Sequence, residues 1–178
     1  MSAIIARMQI ERLTQATATA CLSDLTDLLE DGVASGASIG FLPPLAVGEA
    51  EEYWRGVIDA LSSNRRVLLI ARDGASIVGT VQLDYAARRN ASHRAEVMKL
   101  MVHQSARRRG IGQALMEESA RIARLDGRTL LVLDTRAGDP SERLYQRLGY
   151  QTAGTIPGYA RSASGELHST VILYRHLL

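Results

Sequence analysis

The chain is poor in residues that several whole classes of protein depend on. It has one cysteine, Cys21, in a helical pattern. A lone thiol has no disulfide partner and reads as a small buried hydrophobe, so disulfide scaffolds and paired-cysteine metal sites are excluded. The four histidines, His93, His103, His168 and His176, fall at no ligand spacing. Each reads as a surface or hydrogen-bonded residue, and no metal is expected. No apolar run approaches the length of a membrane span. The opening Met1-Ser-Ala-Ile-Ile-Ala-Arg7 is too short in apolar residues for a secretory core. Asn90-Ala-Ser92 is then a chance match to a glycosylation sequon. A cytoplasmic protein with no membrane partner is expected. Charge of one sign is also missing: 21 basic and 19 acidic residues are interspersed, for a formal net charge of +2. That balance argues against a nucleic-acid partner, which calls for a one-sided basic surface.

Two familiar phosphate loops are absent as well. A dinucleotide fingerprint would need glycine at position 115, which is Leu115, and no Gly-Lys-Ser/Thr tripeptide occurs. A third pattern, Gly36-Ala-Ser38-Ile-Gly40, matches the nucleophile elbow of serine hydrolases in letters only. That elbow needs a strand before it and a helix directly after. Here a helical pattern precedes, and Phe41-Leu-Pro-Pro44 follows. The stretch reads as a loop forming a lid or substrate wall.

What is present is enough for one domain, spanning 1–178. The 178 residues are 46% hydrophobic, with no repeat, linker or low-complexity tract. Met8 to Leu13 reads as a first strand. Ala18 to Ser35 reads as one amphipathic helix, with Leu22, Leu25, Leu28, Leu29 and Val33 on a face. A second helix, about Val47 to Ser62, buries Ala50, Trp54, Val57, Ile58 and Leu61. Val67 to Arg72 and Ser76 to Tyr85 form a hairpin at Asp73-Gly74. Thr129 to Thr135 is a buried strand, and Ser141 to Leu148 a short helix ended by Gly149. Tyr150 to Ile156 and Leu167 to Tyr174 close the chain as an antiparallel pair around Pro157-Gly158.

The informative stretch runs from Glu96 to Met116. Val97 to Val102 is strand-like. From Ile111 the apolar positions Ile111, Leu115, Ile122 and Leu125 take helical spacing. Between them lie Arg107-Arg108-Arg109-Gly110-Ile111-Gly112. A first helical turn offers free N–H groups and partial positive charge, and glycines let a ligand approach them. A phosphate is the natural guest, although a basic glycine loop can also simply turn the chain. A strand, crossover helix and strand imply a parallel pair with right-handed connection.

Arg-x-x-Gly-x-Gly at 107 to 112, followed downstream by Tyr145-Gln-Arg-Leu148-Gly149-Tyr150, resembles the GCN5-related N-acetyltransferases (GNAT family). The likeness implies an α/β fold with a central mixed sheet and flanking helices. It also implies acetyl-CoA as co-substrate, held by Leu100, Met101 and Val102 and by Arg107, Arg108, Arg109, Gly110, Ile111, Gly112 and Gln113. More narrowly, the chain is similar to acetyltransferases of the tabtoxin-resistance type, which acetylate an amino-acid-like toxin. That similarity rests on Gly36 to Phe41, Arg94 to Val97, Lys99 to Val102, Ser105 to Arg107, Leu133 to Thr135, Ala137-Gly138, Pro157 to Tyr159 and Leu167-His168. The chain departs from the broad family at Gln104, often proline, and at Gly138-Asp139, where asparagine is common.

The resemblance implies Glu96 and Asp134 as bases toward the amine, and Tyr145 as the acid serving the departing thiolate. Each has a plainer reading beside it. Glu96 could pair with Arg94 or Lys99, Asp134 could cap the loop after it, and Tyr145 could be core. Ser38, Phe41, Tyr159 and His168 are candidate acceptor contacts. The expected acceptor is a small, amino-acid-like or toxin-like primary amine, acetylated by direct attack. A protein lysine or N-terminal acetyltransferase and a non-catalytic acetyl-CoA sensor remain the alternatives. Monomer and homodimer are both compatible with the sequence.

Overall fold

A computed structural model describes residues 8–177; the N-terminal stretch discussed above lies outside the described residues. Seven strands form one sheet: β1 (Met8–Arg12), β2 (Arg66–Asp73), β3 (Ser76–Tyr85), β4 (Arg94–Val102), β5 (Leu130–Arg136), β6 (Gln151–Arg161) and β7 (Leu167–His176). Their order is β1-β2-β3-β4-β5-β7-β6, and among the described residues only β4 and β5 run parallel. The helices are α1 (Gln15–Ala20), α2 (Leu22–Ala34), α3 (Glu49–Leu61), α4 (Ile111–Leu125) and α5 (Pro140–Arg147).

Strand alternation divides the core in two. On β2, Val67, Leu69 and Ala71 face α4, while Leu68 and Ile70 face α1 to α3. Both sets are fully buried, so this strand reads as a continuous apolar run. Leu115, Met116, Ala120 and Ala123 bring α4 onto one face of the sheet. Leu25, Leu28, Leu29, Trp54 and Ile58 hold α2 and α3 on the other. The described residues thus form a three-layer arrangement, helix on sheet on helices.

Three expectations need correction. The predicted first helix is two: Thr14 opens α1 with a capping box to Thr17, and the chain bends at Cys21 (φ −101°, ψ 9°) before α2 begins. Periodicity did not carry that break, because the apolar face continues through it. Leu125 is 71% exposed, since burial on α4 ends at Ala123, before the Asp126-Gly127 exit. The final hairpin turns at 162–165, where Ser162 N–H reaches Glu166 O, and not at Pro157-Gly158. Those two residues lie within β6, in the register shift between Ile156 and Ala160, and Gly158 has φ +59°. A proline without an N–H is tolerable there because β6 is an edge strand. The Asp73-Gly74 hairpin and the Gly149 cap (φ +83°) are as expected.

Candidate active site

β4 and β5 share three residue pairs, the last being Glu96↔Val132, and then separate. Beyond that point β4 stays on β3 as far as Val102, and β5 stays on β7 as far as Arg136. The β5-facing backbone of β4 thus loses its strand partner, and a cleft of about 910 Å³ opens between the strands. Backbone groups in such a place need partners. Leu100, Met101 and Val102 line the cleft along this edge, suited to an amide-bearing chain from outside.

The cleft begins at the loop before α4. Gly110 has φ +81° and gives α4 no side-chain cap, and no acidic residue occupies the first turn. The first recorded backbone bond there is Ala114 N–H to Gly110 O, 3.0 Å. The earlier amides are left to a ligand. A Cβ on Gly110 would meet nothing within 4 Å, and one on Gly112 would sit 3.5 Å from Leu144. An anionic phosphate fits this cradle. Arg107, Arg108, Ile111 and Gln113 line the same end of the cleft. Arg107 Nε donates to Val102 O at 3.1 Å, and its guanidinium also reaches Ser35, bracing the loop. Arg109 turns out of the cleft to Asp73 (2.7 Å), leaving only its backbone in the loop. Gln104, in the family's common proline position, donates its N–H to Asp31 at 2.9 Å and begins a short 3₁₀ turn.

Glu96 and Asp134 meet at the opposite end, where the strands part. Ala95 and Val97 on β4, and Leu131 and Leu133 on β5, point into the core under α4. The alternate residues Glu96 and Asp134 therefore share the face toward α2 and α3. Burial, then the nearby Asp134 and Asp84, push the Glu96 pKa up; Arg66 and Arg94 offset part of this. No ion pair joins Glu96 to Arg94 or Lys99 among the described residues. Asp134 accepts a 3.1 Å hydrogen bond from Thr170 Oγ1 on β7, so it is held from the neighbouring strand and does not cap its own loop. Thr170, buried and also bonded to Thr135 O, was missed by sequence reasoning.

Tyr145 on α5 lines the cleft with its ring against Tyr150, centroids 5.9 Å apart. Burial and then Asp134 raise its pKa, so its hydroxyl stays protonated. Gly138 N–H donates to Glu142 (2.7 Å) and Pro140 opens α5, which sets the helix carrying Tyr145.

Ser38 on the 36–41 loop, Tyr159 on β6 and His168 on β7 line the cleft; Phe41 does not. Phe41 instead packs edge-on against Tyr53, centroids 5.2 Å apart. Between those rings lies Lys99, the chain's only lysine. Its ammonium sits 5.3 Å from the Phe41 ring and 5.7 Å from the Tyr53 ring, and donates to Ile39 O. Burial lowers its pKa, partly offset by Asp134. Lys99 has φ 53° where Lys99 and Leu100 oppose the single Val81, a β-bulge that re-aims the side chain. It ties the 36–41 loop to the sheet. Its uniqueness among 21 basic residues was the available signal. Gly36 to Gly40 follows a helix and no helix follows it directly, so Ser38 has no elbow geometry.

The model of the acetyltransferase (GNAT) family matches residues 38–150 of the chain. An uncharacterized N-acetyltransferase encoded in the hisH–hisA intergenic region of Azospirillum brasilense is 34% identical over 120 residues, 66% of this chain and 70% of that protein. Among solved structures, an N-acetyltransferase of Staphylococcus aureus Mu50 superposes with a TM-score of 0.79 at 16% identity, covering 96% of this chain and 99% of that one. The yncA protein of Salmonella typhimurium, solved with its cofactor acetyl-CoA, gives 0.79 at 15%, covering 97% and 95%. At such identities the two structures show the fold. The family match and the Azospirillum relative show more: the chain belongs to the GNAT family and is an acetyl-CoA-dependent N-acetyltransferase.

Proposed function

We propose that the acceptor is the primary amine of a small, amino-acid-like or toxin-like molecule, and that the amine attacks the thioester directly. The observation that carries this reading is the pairing of Glu96 and Asp134 on one face of the parting strands, with Tyr145 in the same cleft. Two carboxylates suit an incoming ammonium, which must lose a proton before its nitrogen can attack. Burial and the nearby Asp134 and Asp84 raise the Glu96 pKa, which makes its carboxylate a stronger base than an ordinary glutamate. The new bond joins the amine nitrogen to the acetyl carbon, and the carbon–sulfur bond breaks. The Tyr145 hydroxyl donates a hydrogen bond to the departing sulfur. Its raised pKa makes complete proton transfer uphill, because a buried tyrosinate beside Asp134 would result. Water completes the protonation.

Phosphate binding is assigned to the backbone of 108–113, and the pantetheine arm to the free edge of β4 at Met101 and Val102. The 36–44 loop narrows the acceptor side, which favours a small molecule of the tabtoxin-resistance kind over a folded protein. The test is release of free thiol from acetyl-CoA with a panel of small amines, amino acids and a lysine-bearing protein. Turnover with small zwitterionic amines, above that with the protein, is expected. Faster turnover of protein lysines, or none with any amine, would overturn the reading.

A further inference from the structure

A second cavity of about 330 Å³ adjoins the transfer cleft, and Glu96 is a wall of both. Its charged walls are Arg65, Arg66, Asp84, Arg94 and Glu96. Arg66 is the registered partner of Asp84, and Asp84 that of Glu96. Val67, Leu83 and Val97 fill the core under α4, so this row lies on the same face as Asp134. The row changes sign along its length, from carboxylates at the transfer end to guanidiniums at the other.

Those guanidiniums have donors to spare. Arg66 Nη1 donates to Gln82 Oε1 at 3.0 Å and lies against Met98 Sδ, while Nη2 is 3.5 Å from Asp84. Its Nε is buried with no acceptor, which is costly unless something supplies one. Among the described residues, the side chains of Arg65 and Arg94 have no hydrogen-bond or ion-pair partner; only their backbones are bonded. Planar guanidiniums converging on one cavity are suited to a carboxylate.

We propose that this cavity binds the carboxylate of the acceptor whose amine lies at Glu96 and Asp134, making the acceptor a zwitterion of dipeptide length. The inference rests on the small-amine reading above. Strands lie roughly 4.8 Å apart, which puts Arg66 about 10 Å from Glu96 along the backbone. Arg94 is nearer, two residues from Glu96 along β4, about 7 Å, which is the span of two extended residues. A single α-amino acid carries both groups on one carbon and does not bridge it. Asp84, between the two ends, disfavours negative charge in the middle of the acceptor.

The test needs no turnover. N-acetylated dipeptides, their C-terminal amides and the matching N-acetylated single amino acids are titrated calorimetrically into the protein saturated with coenzyme A. A dipeptide acid is expected to bind at least tenfold more tightly than its amide or the single amino acid. That ratio should fall below threefold in Arg94→Gln and Arg66→Gln. Acetyl-CoA affinity in each variant reports an intact fold; should Arg66→Gln fail there, Arg65→Gln with Arg94→Gln replaces it. Equal binding of acid and amide, no binding of any dipeptide acid, or a ratio that survives these changes would overturn the proposal. A preserved ratio in wild-type protein that transfers acetyl to no amine would overturn the acceptor reading and leave the subsite standing. Transfer with no ratio does the reverse.

Discussion

Glu96 and Tyr145 are both shifted upward, and the two shifts have opposite kinetic consequences. A carboxylate works as a base only when ionised, so raising its pKa moves the acid limb of kcat/KM above the ordinary glutamate range of about 4.3. Below that limb Glu96 is protonated and the rate falls; above it the base is available. Asp134→Asn removes a cause of the shift and should carry the limb to lower pH. Glu96→Gln should abolish the limb, and part of its lost activity should return at high pH, where more amine is already neutral. Tyr145→Phe should lower the rate by roughly 10²-fold at every pH, the scale of a positioned hydrogen-bonding acid. The measurement is kcat/KM for the amine over about pH 5 to 9.5 in the four proteins at saturating acetyl-CoA. A flat deficit in both carboxylate variants would make them positioning or structural residues. At this scale the sequence showed residue types and order, while the reason Glu96 and Asp134 face each other lies in the register that ends at Glu96↔Val132. Thr170 and Arg66 come from β7 and β2, far along the chain, and have no local pattern to announce them.

At the scale of elements, the strand–loop–helix from β4 to α4 was the most legible part, since its glycine loop and helix start are local. Gly110→Val would put a branched side chain into the open space beside the first turn, at φ +81°. Acetyl-CoA affinity should fall at least tenfold, about 1.4 kcal/mol. Arg109 is occupied by Asp73 and Arg107 by Val102, which leaves the Arg108 side chain to act mainly through its charge. Arg108→Ala should cost less than the glycine change, and its cost should shrink with added salt. Calorimetric titration at two ionic strengths decides it. Full affinity in a folded Gly110→Val protein, or a salt-independent loss in Arg108→Ala, would contradict the backbone cradle. The bulge at Lys99 was less legible: being the lone lysine marks the residue but not its positive φ in mid-strand. The same holds for the bend at Cys21, where apolar spacing runs on unbroken across two helices.

For the molecule as a whole, the fold follows from sheet alternation that sorts residues to two cores, and the proposed function from the opening where β4 and β5 part. The parallel pair between α4-linked strands could be inferred from sequence, because a strand, helix and strand have few ways to connect. The extent of pairing could not, since three shared pairs and seven read alike in the sequence of β4. The eleven residues of β6 are all exposed, so no apolar alternation marks where that strand ends and the last turn begins. On the proposed reading, both substrates occupy this opening together and no side chain carries the acetyl group. Cys21 is buried between α1 and α2, with Arg72 Nη2 3.0 Å from its sulfur, and does not line the cleft. Initial rates measured over a grid of acetyl-CoA and amine concentrations test that claim most directly. Intersecting double-reciprocal lines, with no acetylated protein accumulating in the absence of amine, are expected. Parallel lines, together with an acetyl group trapped on the chain, would contradict direct transfer.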